Sequence, residues 1–443
     1  MARIYPFRAL RYNPALVRVE DVVTQPYDKI SPSMQQAYYQ RSPYNLVRII
    51  LGLPELFDGS ETGQETVYTR AARDFAAWRA SGILVREKEP CVFAYSQRFK
   101  LPGSAGVVLE RRGFIALGEL YDYSQHVVFR HEQTLSKPKS DRLNLLRATH
   151  AHFGQIFMLY SDPGQSVESI LFSNATPDVE VTDEYGVLHR VSKISDPNTI
   201  NILISEMADK KLIIADGHHR YETALNYARE HAPASPVSTE RKASSLPQPA
   251  YPEAALMMTF VNMDSDGLVI LPTHRVVFGL KDFSTAALLD RAHPYFHIEE
   301  LPTGDTNALT ARLAAEKTTA FVAVTANGAF LLRARREPIA DALRQIPERQ
   351  RQLDVVQLHS LVLEQLLAIT PEAIREQTHL RYIREPAEAI EQVTRGEADA
   401  AFLMNPVTMN QLREIAFAGE VMPQKSTDFF PKLLSGLAIY ALD

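Results

Sequence analysis

The sequence predicts an α/β or α+β protein with mixed sheets around a strand–turn–helix core. Three observations lead there. Short apolar runs that fit buried strands (91–99, 211–215, 254–263, 319–324) alternate with stretches of helical period (64–81, 221–231, 353–369). Gly, Pro, Ser and Asn mark the ends of these runs. No repeat and no heptad seam replaces the alternation.

Taken in order, residues 31–39 open with Ser31-Pro32, an N-cap followed by proline at the first helical position. Residues 44–50, rich in Val and Ile, read as a strand. Residues 64–81 place Val67, Ala71, Phe75 and Trp78 on one helix face and stop at Gly82. Strands at 91–99 and within 112–120 flank a hairpin loop at 103–106. A helix at 140–150 and a buried strand at 155–160 follow. The strand 211–215 runs into Asp216-Gly217-His218-His219-Arg220 and then a helix over 221–231. The Pro- and Ser-rich stretch 232–252 reads as a flexible loop before the strand 254–263. Beyond 275, strands at 319–324 and 400–404 alternate with helices at 353–369 and 407–418. We expect an N-terminal α/β region over 1–120, a central region with the phosphate turn over 121–270, and a C-terminal α/β region over 271–443.

Composition narrows the function classes. Of 443 residues, 45% are hydrophobic and 23% charged, with a net charge of −6. That leaves no global basic field for nucleic acid, so no nucleic-acid partner is expected. The single cysteine, Cys91, permits neither an intrachain disulfide nor a cysteine-based zinc site. No apolar run is long enough for a signal peptide or a membrane span, so a soluble, cytoplasmic protein with no membrane partner is expected. Oligomeric state is left open.

The segment 216–220 has the chemistry of a phosphate-binding turn. Gly217 permits a tight turn and close backbone approach. The helix start supplies N–H donors and the positive end of a dipole. Arg220 can grip phosphate oxygens with two parallel hydrogen bonds. His218 and His219 can donate, shuttle protons or bind metal, and Asp216 can orient a histidine, hold Mg²⁺ or cap the helix. The same residues would also suit an ordinary strand–helix turn with satisfied surface histidines.

Four further clusters carry candidate residues. His131 and Glu132 precede Lys137, Lys139, Asp141 and Arg142, a density that suits an anionic ligand or a solvated helix start. His274 and Arg275 end an apolar run and could serve a site or a structural turn. Lys425-Ser426-Thr427 can hold phosphate but lacks the glycine frame of a P-loop, and Phe429-Phe430 beside it reads as core. Asp28, in the turn after Gln25-Pro26-Tyr27, could be a general base, a metal ligand or a turn cap. No metal-ligand spacing, dinucleotide fingerprint or nucleophile elbow is present.

These stretches together resemble the domain-of-unknown-function family numbered 1015. The likeness lies in Gln25–Asp28, Pro43–Asn45, His131–Thr134, Ala215–Ala224, Leu271–Arg275, Met422–Thr427 and Phe430–Lys432, in one order along nearly the whole chain. The strand–Asp-Gly-His-His-Arg–helix is also similar, over some 15–20 residues, to the nucleotide-phosphate turn of the ParB and sulfiredoxin superfamily. That superfamily includes CTP-binding switches, ATP-using sulfiredoxins and kinases acting on free serine. Sulfiredoxins carry a cysteine where this chain has His218, which excludes their chemistry here. The kinase branch implies Gly217, His219 and Arg220 as phosphate holders.

The leading expectation is therefore a phosphotransferase, kinase or phosphatase, on a small hydroxylated metabolite, with serine or phosphoserine first. Its cofactor would be a nucleoside di- or triphosphate, or pyrophosphate, with Mg²⁺. Asp28, Glu132 or His218 would be catalytic, the last also as a nucleophile. Asp216, Gly217, His219, Arg220, His131, Arg142, His274, Arg275, Lys425, Ser426 and Thr427 would bind phosphate. Asp28, His131, Arg220, His274 and Lys425 are expected around one cleft. Two alternatives stand beside this: a nucleotide-gated regulatory or binding protein without turnover, and a metal-dependent hydrolase using His131, His218 and His219.

Overall fold

The computed structural model describes residues 2–54, 66–104, 106–133, 136–173, 175–233, 246–302 and 304–443, with the backbone alone at 136–138. The chain folds as two compact units, one made of 1–129, 134–269 and 431–443, the other of 130–133 and 270–430. Both are mixed α/β structures, as the alternation predicted.

The first unit is built on a nine-stranded sheet. Its order is Val128–Phe129, Leu212–Asp216, Ile156–Tyr160, Ala255–Asn262, Val108–Glu119, Val92–Lys100, Leu188–Ile194 and Val179–Thr182, with Ile4–Tyr5 also paired to Val108–Glu119. Two pairings are parallel, Leu212–Asp216 with Val128–Phe129 and Ala255–Asn262 with Ile156–Tyr160. The regions expected at 1–120 and 121–270 thus share one sheet. Its core includes Phe114, Met158, Tyr160, Leu203, Ile214 and Phe260. Continuous apolar strands such as Ile156–Tyr160, buried at every position, lie inside the sheet because both their faces are covered.

A second core joins Tyr12, Ile49, Phe75, Trp78, Leu145 and Ile439. The helix Val67–Ala80 supplies Ala71, Phe75 and Trp78 to it, as its period predicted, and opens with a Thr66–Thr69 capping box. Gln64 and Glu65 lie outside the described residues, as do Ala105 of the expected hairpin loop, Thr134 and most of the expected 232–252 loop. The helix Ser136–Thr149 packs against both Val67–Ala80 and the helix His218–Glu230. Ser31 caps Pro32–Arg41 by accepting from the Met34 amide at 3.2 Å.

The segment 44–50 corrects its sequence reading. It contains the short helix Val47–Ile50, not a strand. Asn45, fully buried, accepts from the Val47 amide at 3.0 Å and donates to the Asp21 carbonyl at 2.8 Å. A buried amide satisfied this way sets the helical start and outweighs the β propensity of Val47, Ile49 and Ile50.

The second unit carries a wholly antiparallel six-stranded sheet, in the order Phe296–Leu301, Gly328–Ala334, Ala320–Thr325, Ala400–Met404, His274–Val277 and Leu380–Ile383. The helices Thr306–Ala314 and Pro386–Thr394 bring Leu309, Leu313, Ala389 and Val393 to its core, where Val322 and Leu403 also lie. The helix expected over 353–369 is a short α-helix, Asp354–Gln357, continued by π-helical turns over Leu358–Leu366. Burial raises the Asp354 carboxyl to about 6. Its folded value exceeds its unfolded one, so its contribution is fully present below about pH 4 and is lost as pH rises through 6. Asp354→Asn should therefore gain on the order of 2 kcal/mol over the parent at pH 8 and nothing at pH 4, read by chemical denaturation.

Candidate functional site

The strand Leu212–Asp216 ends at Gly217, whose φ of +95° lies in the left-handed region that glycine tolerates. The helix begins at His218, earlier than expected, so His218, His219 and Arg220 form its first turn and not a loop. Their amides therefore fall outside the helix's own hydrogen-bond ladder. Glycine is needed here on two counts. A Cβ on Gly217 would lie 2.9 Å from the Ile156 side chain and 3.0 Å from the Arg220 guanidinium.

Arg220 turns back under this start. It donates to the Gln155 carbonyl at 2.6 Å and to Asp216 at 3.1 Å. The same carboxylate accepts from Lys432 Nζ at 3.3 Å. Asp216 thus sits between two cations, and the local balance stays positive. Lys432 is held from behind. Gln97 donates to its carbonyl at 2.8 Å, and the buried Arg111 donates to the carbonyl of Pro431 and to Gln97. Burial lowers the Arg111 guanidinium to about 9.

Arg220 also lines a pocket with Arg142, 78 positions earlier, and with Tyr27, Gly154, Thr223 and Ser435. Arg142 is fixed by three contacts. It donates to Asp141 at 2.8 Å and to the Ile50 carbonyl at 2.8 Å, and its guanidinium lies 4.1 Å from the centre of the Tyr27 ring. Gly154 makes room, because a Cβ there would stand 2.9 Å from Arg220 Nη1. Burial raises the Tyr27 phenol, and Asp28, Arg220, Arg142 and Asp216 all lie close enough to act on it. Among the described lining residues there are two arginines and no carboxylate. Apolar side chains, Ile50, Leu145 and Leu146 among them, form the rest of the wall. The arrangement is chemically an anion pocket with one apolar side.

The other first-unit candidates stand nearby without lining this pocket. Asp28 is exposed in the 3-10 turn Tyr27–Lys29. Asp216 and Gly217 lie behind Arg220, His218 is 7% exposed, and His219 is half-buried on the first helical turn. Lys432 and Gln155, which fix the Asp216–Arg220 pair, were not singled out from sequence as site residues. The Phe430-Pro431-Lys432 stretch of the family resemblance was one signal for the lysine.

The second unit gathers the remaining candidates. One Glu132 oxygen accepts from the amides of Ser426 and Thr427 and from the Thr427 hydroxyl, each at 3.0 Å. His131, fully buried, meets the same hydroxyl at 2.8 Å. Arg275 is 1% exposed, donates to the Lys425 carbonyl at 3.0 Å and to His359 at 3.1 Å, and is lowered to about 10 by burial. Lys425 itself is exposed on a left-handed backbone, φ +58°. His274 accepts from the Met404 amide at 3.2 Å through Nδ1, and burial lowers it to about 4. In this arrangement Glu132 and the two amides of Ser426-Thr427 satisfy one another. Asp28 and Arg220 belong to the first unit, while His131, His274 and Lys425 belong to the second. Among the described residues, no three His, Cys, Asp or Glu side chains group as a metal site. Nor is any helix among them long and apolar enough to cross a membrane.

No curated protein matches the chain. Several solved structures do, at low similarity. A conserved hypothetical protein from Pyrococcus furiosus is 12% identical, with 69% of this chain and 89% of that one covered and a TM-score of 0.33. A free serine kinase in complex with AMP is 13% identical, with 68% and 83% covered and a TM-score of 0.34. SbnI with a C-terminal truncation, from Staphylococcus aureus, is 10% identical, with 70% and 82% covered and a TM-score of 0.34. Likeness this distant carries no chemistry over to the pocket. The match to a protein-family model does not depend on it. The model described as "Protein of unknown function (DUF1015)" spans residues 4–356, most of the sequence, and the chain belongs to that family.

Proposed function

We propose that the first unit's pocket binds the phosphate groups of a small molecule, and that the protein is a phosphotransferase acting on a small hydroxylated metabolite, with serine or phosphoserine the leading candidate. One observation carries this reading: Arg142 and Arg220, far apart in sequence, line one pocket whose described lining has no carboxylate. Guanidinium pairs are suited to phosphate because their planar donors match its oxygens. Phosphoryl transfer asks mainly for positioning and neutralisation of charge, and such a pocket supplies both.

A nucleoside di- or triphosphate, or pyrophosphate, fits the donor set. Arg142 and Arg220 would take the phosphate oxygens and Ser435 would lie alongside, while the apolar wall would accept a less polar body. The described lining offers no oxygen-rich cage for Mg²⁺, so the ion would enter on the phosphates. Asp28, beside Tyr27, is within electrostatic reach of the pocket but does not line it. In this reading His218 and Glu132 act structurally, the first buried in the helix start and the second spent on the Ser426 and Thr427 amides.

Thermal unfolding of the purified chain tests the reading. Pyrophosphate, ATP, ADP, CTP and GTP are each added with Mg²⁺, with and without serine or phosphoserine. A ligand selective for the folded state raises its stability by ~2.7 kcal/mol at a concentration 100 times its Kd. We expect a rise with pyrophosphate and at least one nucleotide, and a further rise with serine. A nucleotide rise with no turnover on any hydroxylated acceptor would favour a regulatory binding protein, and no rise at all would sink the phosphate reading.

A further inference from the structure

A buried aspartate–histidine pair, Asp183 and His189, stands behind the pocket of Arg142 and Arg220 without lining it. His189 lies on the strand Leu188–Ile194, directly opposite Gln97 of the strand Val92–Lys100, and is fully buried. Its Nδ1 meets the Tyr95 hydroxyl at 2.7 Å and Gln97 Nε2 at 3.3 Å. Its Nε2 meets the Asp183 carboxylate, whose side chain is 3% exposed, at 3.2 Å.

The neighbours fix where the imidazole proton sits. Gln97 donates through Nε2 to the Lys432 carbonyl at 2.8 Å and accepts through Oε1 from Arg111 at 3.0 Å, so its amide has one orientation. An NH2 group therefore faces Nδ1, which must accept. The ring proton is on Nε2 and is donated to Asp183. Burial, helped by Arg111, outweighs the pull of Asp183 and Glu184 and keeps the ring neutral at neutral pH. The Asp183 carboxylate also accepts from Gln25 Nε2 at 3.0 Å and from the amides of Tyr185 and Val187 at 3.0 and 2.9 Å.

Two walls of the pocket depend on this pair. Gln25, held by Asp183, precedes Pro26 and Tyr27, which both line the pocket. Gln97, held by His189, fixes the carbonyl of Lys432, whose ammonium meets Asp216, and Asp216 meets Arg220. The two segments also pair with each other, since Thr24 and Ser435 exchange backbone hydrogen bonds at 3.1 and 2.8 Å.

Resting on the anion reading of the pocket, we propose that Asp183 and His189 are its positioning residues, and that a neutral imidazole with its proton on Nε2 sets the Tyr27 wall and Arg220 in register. The other tautomer, or an imidazolium, would turn an N–H against the Gln97 amide and push it off the Lys432 carbonyl.

The test measures pyrophosphate affinity of the full chain by isothermal titration for the parent, His189→Leu, His189→Asn and Asp183→Asn, with chemical denaturation on the same samples. Proton–nitrogen NMR of histidine-labelled parent and Asp183→Asn reads the tautomer, the His189 signal being identified by its loss in His189→Asn. We expect His189→Leu to weaken binding about 10-fold or more. His189→Asn should restore most of that, because the asparagine oxygen falls near the place of Nδ1 and accepts from Gln97. Asp183→Asn is nearly isosteric and tests the pair even where the leucine variant fails to fold. Its amide donates to Nε2, so the proton should move to Nδ1 and binding should fall about as far as with leucine. Parental affinity in His189→Leu or Asp183→Asn, even with stability lost, overturns the assignment. So does a parent whose His189 proton is on Nδ1, or an asparagine at 189 that binds no better than leucine. A parent that does not bind pyrophosphate overturns the anion reading itself, and the assignment with it.

Discussion

Arg220→Ala is expected to weaken pyrophosphate binding by about 100-fold or more, equivalent to ~3 kcal/mol. The guanidinium does two jobs. It faces the pocket, and it ties the helix start to the Gln155 carbonyl and to Asp216. Alanine removes the first donor set outright. It also leaves the Gln155 carbonyl short of a donor and removes one of the two cations that hold Asp216, the other being Lys432. A stability loss of ~1–3 kcal/mol should accompany the binding loss, since a charged hydrogen bond to a half-buried group is removed. Arg220→Lys separates the two effects. A lysine keeps a charge but not the planar fork, so stability should largely return while binding recovers only in part. Isothermal titration and chemical denaturation on the same samples measure both. Full binding by Arg220→Ala would remove the arginine from the site.

Arg111→Met is expected to cost about 3 kcal/mol and to weaken the same binding indirectly. Arg111 is 1% exposed, lies 4.6 Å from the centre of the Phe157 ring, and holds both Gln97 and the Pro431 carbonyl. Methionine fills similar volume, so the main loss is hydrogen bonding, not a cavity. Gln97 and the Pro431 carbonyl would each be left without that donor in a buried setting, at ~1–3 kcal/mol apiece. Relief from burying a cation offsets part of that sum. The displaced Pro431-Lys432 backbone would then carry Lys432 away from Asp216. A variant within ~0.5 kcal/mol of the parent would show that the network is dispensable.

Much of this was legible where the signal is local. Gly217 and Arg220 stand at a strand–helix junction, and a short window of sequence shows the strand, the glycine and the arginine together. Arg142 was legible from the density of charge around it. Phe429-Phe430 was read as core and is buried in a strand. Lys432 was harder, because its partner Asp216 lies 216 positions away and the pairing depends on how Gln97 and Arg111 hold the returning chain. The segment 44–50 failed for a related reason: the carbonyl of Asp21 that captures Asn45 cannot be seen from the Val- and Ile-rich run itself. Strands were recognisable one by one, but their order was not, since neighbours such as Ala255–Asn262 and Ile156–Tyr160 are set by packing and not by proximity in sequence.

The central claim is that Arg142 and Arg220 hold one and the same anion. A double-mutant cycle measures it directly: pyrophosphate affinity by isothermal titration for the parent, Arg142→Ala, Arg220→Ala and the double variant. If both arginines grip one ligand, the second substitution should cost clearly less, or clearly more, than it does alone, with a coupling of ~0.5–3 kcal/mol. Strict additivity, or binding that survives both substitutions, would contradict the account.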